Sequence, residues 1–225
     1  ALLVLLALPH NDPAQDGERR KLSLQGVARV AAMPSVWLQA AIIRCAYVGF
    51  KAIDDVSLYA NQVVGVDQVD AAKAGVVARW VRPVAAIGAG LLADRIGAST
   101  MTASSFAVLA GGSLVLASGL IGAGMLWMFL LTMVCCSMGI FALRGLYFAI
   151  MREGKIPMAY TGTAVGLVSV IGYTPDVFMG PLMGYLLDQS PGAAGHQHVF
   201  WVVTGFALLG LIASLCFALV IRKTD

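Results

Sequence analysis

The chain has 225 residues, 59% of them hydrophobic and only 12% charged, with a formal net charge of +3. About a quarter of a soluble domain is charged, so this composition excludes that class. The 15 Lys and Arg residues are not gathered into a basic domain, which excludes the footprint of a nucleic-acid binder.

The opening octet ALLVLLAL (residues 1–8) is apolar but too short to cross a hydrocarbon core of about 30 Å. It lacks the basic flank of a signal peptide and is expected to be the end of a helix. Residues 9–33, PHNDPAQDGERRKLSLQGVARVAAM, read as a polar, basic linker that stays in water. Residues 34–225 are expected to form one transmembrane domain. Its six spans run roughly Pro34 to Asn61, Ala71 to Ala93, Thr100 to Leu120, Met125 to Ile150, Met158 to Leu187 and Val199 to Ile221.

The connections alternate in charge. One set holds Arg19, Arg20, Lys21, Arg29, Arg95, Arg152, Lys155, Arg222 and Lys223; the other holds only Lys73, beside Asp67, Asp70 and Asp188. Lys and Arg concentrate in cytoplasmic loops, so the linker, the loops at Arg95 and Arg152 and the C-terminus are expected in the cytoplasm. The opening octet then descends from outside, and the chain reads as the back half of a longer protein.

Five basic residues remain inside the spans: Arg44 and Lys51 on the first, Arg79 and Arg82 on the second, Arg144 on the fourth. Asp54 and Asp55 join them on the first span and Asp176 on the fifth. A charge at the bilayer centre costs about 2.5–3.5 kcal/mol on an insertion scale, so such side chains face protein or a water-filled cavity. The third and sixth spans carry no interior charge and are expected to serve packing and lipid contact. At 100° per residue, Arg44, Lys51 and Asp55 fall on one stripe, flanked by Tyr47, Asp54 and Tyr59. One reading is an internal network pairing Lys51 with Asp55 at i,i+4, or with Asp176. The arginines outnumber the acids that remain, so Arg44 and Arg82 are candidates for holding an anionic substrate in bidentate fashion. Arg144, near the cytoplasmic end, is expected to snorkel. The four cysteines (Cys45, Cys135, Cys136, Cys216) all fall in apolar segments and read as buried thiols.

Between the second and third spans stands GAGLLADRIGAS, with Gly90, Asp94, Arg95 and Gly97. It resembles the G-x-L-a-D-R-x-G signature of the major facilitator superfamily, found after the second helix of each six-helix half. The resemblance implies that the six spans are helices 7 to 12, two inverted three-helix repeats forming a half-bundle, with residues 1–8 as the end of helix 6. It implies that Gly90, Asp94, Arg95 and Gly97 form a latch between halves, with Asp94 accepting from a nearby helix N-terminus. Ala98 and Ser99 stand where the fuller signature has basic residues, which weakens that implied latch. It further implies substrate at the midplane between halves, on helices 7 and 10, with 8 and 11 at the junction. The stretch from Arg144 to Asp188 is distantly similar to bacterial permeases for organophosphates and other anions, which implies a bacterial inner membrane. Glycines and two prolines, Pro175 and Pro181, make the fifth span a packing surface or a hinge.

The expected function is a secondary active transporter working by alternating access. Arg44, Tyr47, Lys51 and Arg82 would bind a small anion, and Asp54, Asp55, Arg79 and Asp176 would gate or couple protons. A neutral solute with structurally paired arginines, or a non-transporting sensor on a carrier fold, are the alternatives. An enzyme is not expected: His10, His196 and His198 are read as loop residues, and neither an HExxH nor a nucleotide-binding loop occurs. No repeated filter or charge ring marks a channel. No cofactor or metal is expected; the partners are the solute, the bilayer and the other six-helix half.

Overall fold

A computed structural model describes residues 24–147, 149–154, 156–157 and 160–222. The expected helix end at residues 1–8, and the linker up to residue 23, lie outside them. The described chain is all helical, with no strand, and holds six helices long and apolar enough to cross a membrane. A short α1 (Leu24–Ala31) occupies the end of the expected linker. The spans are α2 (Pro34–Val64), α3 (Gln68–Ile96), α4 (Ala98–Ala117), α5 (Leu126–Leu146), α7 (Thr161–Gln189) and α8, which is continuous from Ala193 to Arg222. The five-residue α6 (Ala149–Glu153) follows α5.

Local chemistry sets the ends. Pro34 opens α2, where its missing N–H costs nothing. Gly65 ends it at φ 82°, a left-handed position that suits glycine. The Asp67 side chain accepts from the Asp70 N–H at 2.7 Å and so caps α3. Gly97, at φ 90°, turns the chain directly from α3 into α4.

Three spans are interrupted. In α2 a 3₁₀ turn at Ile53–Asp55 follows the regular helix, and a π turn occupies Ala60–Val64. Val81 parts α3 ahead of Pro83, and Tyr173 and Thr174 part α7 ahead of Pro175. A proline cannot donate to the carbonyl one turn earlier, which explains the second and third breaks. Lys51, Asp54, Asp55, Arg79, Arg82 and Asp176 lie at or beside these breaks.

The α2 helix runs through the middle, with 67% of its most apolar stretch buried, against 17% for α3 and 22% for α7. It packs on α8, the first half of α7, and α5, while α4 lies between α8 and α5. The second half of α3 packs on α5. Phe106, Leu109, Phe129, Phe141, Leu143 and Phe217 are among the fully buried side chains. On α3, Val76, Trp80, Val84, Ile87 and Leu91 are exposed, an apolar surface that suits lipid or another helix.

The glycines of α7 divide. Gly172 abuts Ile43, whose Cγ2 would lie 2.5 Å from an added Cβ, so α2 and α7 touch closely there. At Gly162, Gly166, Gly180 and Gly184 a Cβ would meet nothing within 4 Å. The packing expected of those four is absent among the described residues.

Two expectations are corrected. Cys45 and Cys136 are buried, but Cys135 and Cys216 are exposed on the apolar outer surface; all four are free thiols. A lipid-facing thiol is as apolar as a buried one, so composition does not separate the two. The α8 helix begins six residues before the expected Val199, which places His196 and His198 within a span rather than in a loop.

Candidate functional site

The side chains at the three breaks form one polar chain across α2, α3 and α7. The Tyr47 hydroxyl donates to Asp176 Oδ2 at 2.8 Å. Lys51 Nζ lies 3.6 Å from Asp176 Oδ1 and 3.2 Å from Asp54 Oδ2. Arg79 then donates to Asp54 Oδ1 at 3.0 Å. Lys51 is therefore shared between two acids and joins α2 to α7, while Asp54 joins α2 to α3. The expected pairing of Lys51 with Asp176 is present.

The i,i+4 pairing of Lys51 with Asp55 is not. A 3₁₀ turn advances about 120° per residue rather than 100°, so Ile53–Asp55 brings Asp54 beneath Lys51 and turns Asp55 away. Asp55 is buried, and its Oδ2 lies 2.8 Å from His196 Nδ1 on α8. The expected stripe of Arg44, Lys51 and Asp55 is thus divided between two faces.

A second cluster lies on the cytoplasm-expected side of this chain of residues. Arg82, Ala86, Phe141, Arg144, Gly145, Tyr147 and Tyr173 line a cavity of about 220 Å³. Arg144 does not snorkel. Its guanidinium lies over the Phe50 ring, 3.9 Å from the centroid, and 5.4 Å from that of Tyr47. Aromatic faces attract the cation and hold it inside the bundle. Arg144 Nη1 and the Tyr147 hydroxyl are buried without a hydrogen-bond partner among the described residues. Arg44 does not line this cavity; it is exposed, with its guanidinium 5.6 Å from the Phe178 ring centroid. Its spacing on α2 marked a polar face, but its partner on α7 had no signal in the sequence.

At the α3–α4 corner, Gly90 is open to its surroundings, and Asp94 and Arg95 are exposed. Asp94 does not cap the neighbouring helix. Glu153 of α6 does: its carboxylate accepts from the Ala98 N–H at 2.5 Å, the Ser99 N–H at 3.0 Å and the Ser99 hydroxyl. Asp94 lies exposed in the last turn of α3, whereas Glu153 reaches the N–H groups that open α4 from α6. Among the described residues, no group of three or more His, Cys, Asp or Glu side chains could hold a metal.

Six membrane-capable helices enclosing charged and hydrogen-bonded side chains define a multi-pass helical membrane protein. No family model matches the chain. It is 38% identical over 86 residues to inner membrane protein YihN of Escherichia coli (strain K12) and 40% identical over 87 residues to inner membrane protein YqcE of the same organism. These stretches cover 36% and 38% of this chain, and the chain spans only 20% of the length of each relative. Both relatives are inner membrane proteins, which agrees with the membrane character of this fold.

Proposed function

We propose that the chain is the C-terminal six-helix half of a major facilitator transporter of the bacterial inner membrane, moving a small anionic solute by alternating access. One observation carries this reading: two arginines, Arg82 and Arg144, line a single cavity with two tyrosines, and Arg144 Nη1 is buried without an acceptor among the described residues. A buried donor without an acceptor costs about 1–3 kcal/mol, and more when charged. A carboxylate or phosphate oxygen would satisfy it, and the Tyr147 hydroxyl beside it could donate to the same group. Arg44 supplies a further cation on the open face of α2. Lys51, Arg79, Asp54 and Asp176 already satisfy one another, so they suit a network that breaks and reforms as helices move. The breaks in α2, α3 and α7 lie where such a network needs backbone freedom.

The sparse burial of α3 and α7, and the four open glycines of α7, suit a surface covered by a second six-helix half. The charge of the loops supports a cytoplasmic C-terminus. A carrier of neutral solutes is the second reading, favoured by the completeness of the Lys51 network. It leaves Arg144 Nη1 without an acceptor.

Uptake and exchange of labelled solutes by the full-length protein in proteoliposomes tests this. Phosphate, sugar phosphates, carboxylates and neutral sugars are compared, with and without a pH gradient. Saturable anion flux, lost in Arg82→Gln and Arg144→Gln, is expected. Flux of neutral solutes alone would remove the anion, and no flux of any solute would favour a sensor.

A further inference from the structure

Away from the arginine cavity, α2 and α8 share a buried polar contact. The His196 side chain is 0% exposed and that of Asp55 2%. His196 Nδ1 faces Asp55 Oδ2 at 2.8 Å, and Nε2 faces Gln62 Oε1 at 3.0 Å. Both ring nitrogens therefore face oxygen acceptors. A neutral imidazole has one N–H and can satisfy only one of them; an imidazolium satisfies both. If the Gln62 amide rotates, its NH₂ donates to Nε2 and neutral imidazole fits equally well, with Nδ1–H still bonded to Asp55. The site thus keeps its hydrogen bonds in either protonation state, the two differing by one proton and one amide rotation.

Charge separates the states. With the proton bound, the pair is neutral overall, whether written as carboxylate with imidazolium or as carboxylic acid with imidazole. Without it, one negative charge is left buried among Tyr59, Phe129 and Phe200. Tyr59 meets His196 edge-on at 5.2 Å and stacks on Phe129 at 5.1 Å. This apolar shell is open at one edge. Gln62 is exposed and, with Leu58, Leu187 and Asp188, lines an open cleft beside the turn from α7 to α8. Gln62 therefore has one side on solvent and the other on His196 Nε2.

We propose that Asp55 and His196 form a single-proton binding site, loaded and emptied through Gln62 from the cleft at the α7–α8 turn. The titratable groups around it are few. From α2 come Asp55, the adjacent Asp54, which is held by Lys51 and by Arg79 of α3 on the other face of the turn, and the buried hydroxyl of Tyr59, which has no hydrogen-bond partner among the described residues. From α7 comes Asp188, exposed at the cleft, and from α8 the exposed His198. The sides formed by α4 and α5 present apolar or uncharged groups, among them Ser113 and Phe129. The site does not depend on which solute the arginine cavity takes, or on whether it takes one.

The test is a titration without solute. Full-length protein labelled with ¹⁵N-histidine is placed in lipid nanodiscs, and its ring nitrogen shifts are followed across about pH 5–9, the range in which imidazoles change charge. The signal lost in His196→Gln belongs to this site. That signal is expected to titrate in one step, and Asp55→Asn is expected to weaken proton binding at least tenfold by removing the counter-charge. The wild-type titration decides if Asp55→Asn fails to fold. A His196 signal fixed in one form across the range, or a titration that Asp55→Asn leaves in place, overturns the proposal. Failure of anion transport would leave this result untouched.

Discussion

The Tyr47 hydroxyl and the Asp176 carboxylate, 129 residues apart, meet at 2.8 Å and tie α2 to α7 at the break in α7. Asp176 also receives Lys51 at 3.6 Å, so one carboxylate holds two groups of the same helix. Both Tyr47→Phe and Asp176→Asn break this tie, but they differ in what remains. On the transporter reading proposed above, Tyr47→Phe keeps the Lys51 contact and is expected to slow solute flux only severalfold. Asp176→Asn removes the charge that holds Lys51 and is expected to slow it about tenfold or more, the equivalent of one charge-assisted hydrogen bond. Initial rates at matched expression check this; equal losses would mean that Lys51 relies on Asp54 alone.

The position of Arg144 over two rings separates it from an ordinary charged residue. Lys keeps the charge but lacks the planar fork that stacks on an aromatic face. Arg144→Lys is therefore expected to weaken anion binding about tenfold, whereas Arg82→Lys, at an exposed position, is expected to weaken it less. Binding isotherms for phosphate and for a sugar phosphate, on purified protein, test the proposed anion site and give the comparison. Equal effects would place both guanidinia in the same role.

Much of this architecture is legible in the residues themselves, for identifiable reasons. Runs of apolar residues place all six spans, and charges inside them mark α2, α3, α5 and α7 as the polar-faced helices. Ideal helical geometry fails at Asp54 and Asp55, because the 3₁₀ turn has no proline or glycine to announce it. That one turn exchanges the partners of the two acids. His196 was hidden by the start of α8: PGAAGHQH reads as a loop, yet the helix begins at Ala193, within it. The depth of Arg144 alone suggests water, whereas the rings of Tyr47 and Phe50 that hold it come from a distant part of the chain.

Glu153 closes the N-terminus of α4 with three acceptor contacts from a five-residue helix. The N-terminal N–H groups have no intrahelical partners, and the helix dipole favours a negative charge there. Glu153→Ala removes all three contacts and is expected to cost about 1–2 kcal/mol, the upper range for loss of a cap. Glu153→Gln keeps one acceptor and should recover part of this. Thermal unfolding in detergent, followed by retention of the monodisperse peak, measures the order. Asp94→Asn is the control, expected to leave stability unchanged; an equal loss there would return the capping role to Asp94.

The α8 helix offers an internal comparison between two glycines. At Gly210 an added Cβ would run into the Phe106 ring of α4, whereas at Gly205 it would meet nothing within 4 Å. Both lie in the interior of one continuous helix, so Gly→Ala brings the same backbone gain of up to about 1 kcal/mol at each. Any difference between the variants therefore reports packing. Phe106 is fully buried and has little room to retreat, and overpacking of a tight contact costs about 1–3 kcal/mol. Gly205→Ala is expected to be neutral or stabilising, and Gly210→Ala to lower the unfolding temperature. If Phe106→Leu is combined with Gly210→Ala, the ring that blocks the new methyl is gone and part of the loss should return. That recovery would show that α4 and α8 are held together by close approach at Gly210. Additive losses would instead mean that Phe106 and Gly210 contribute to different contacts.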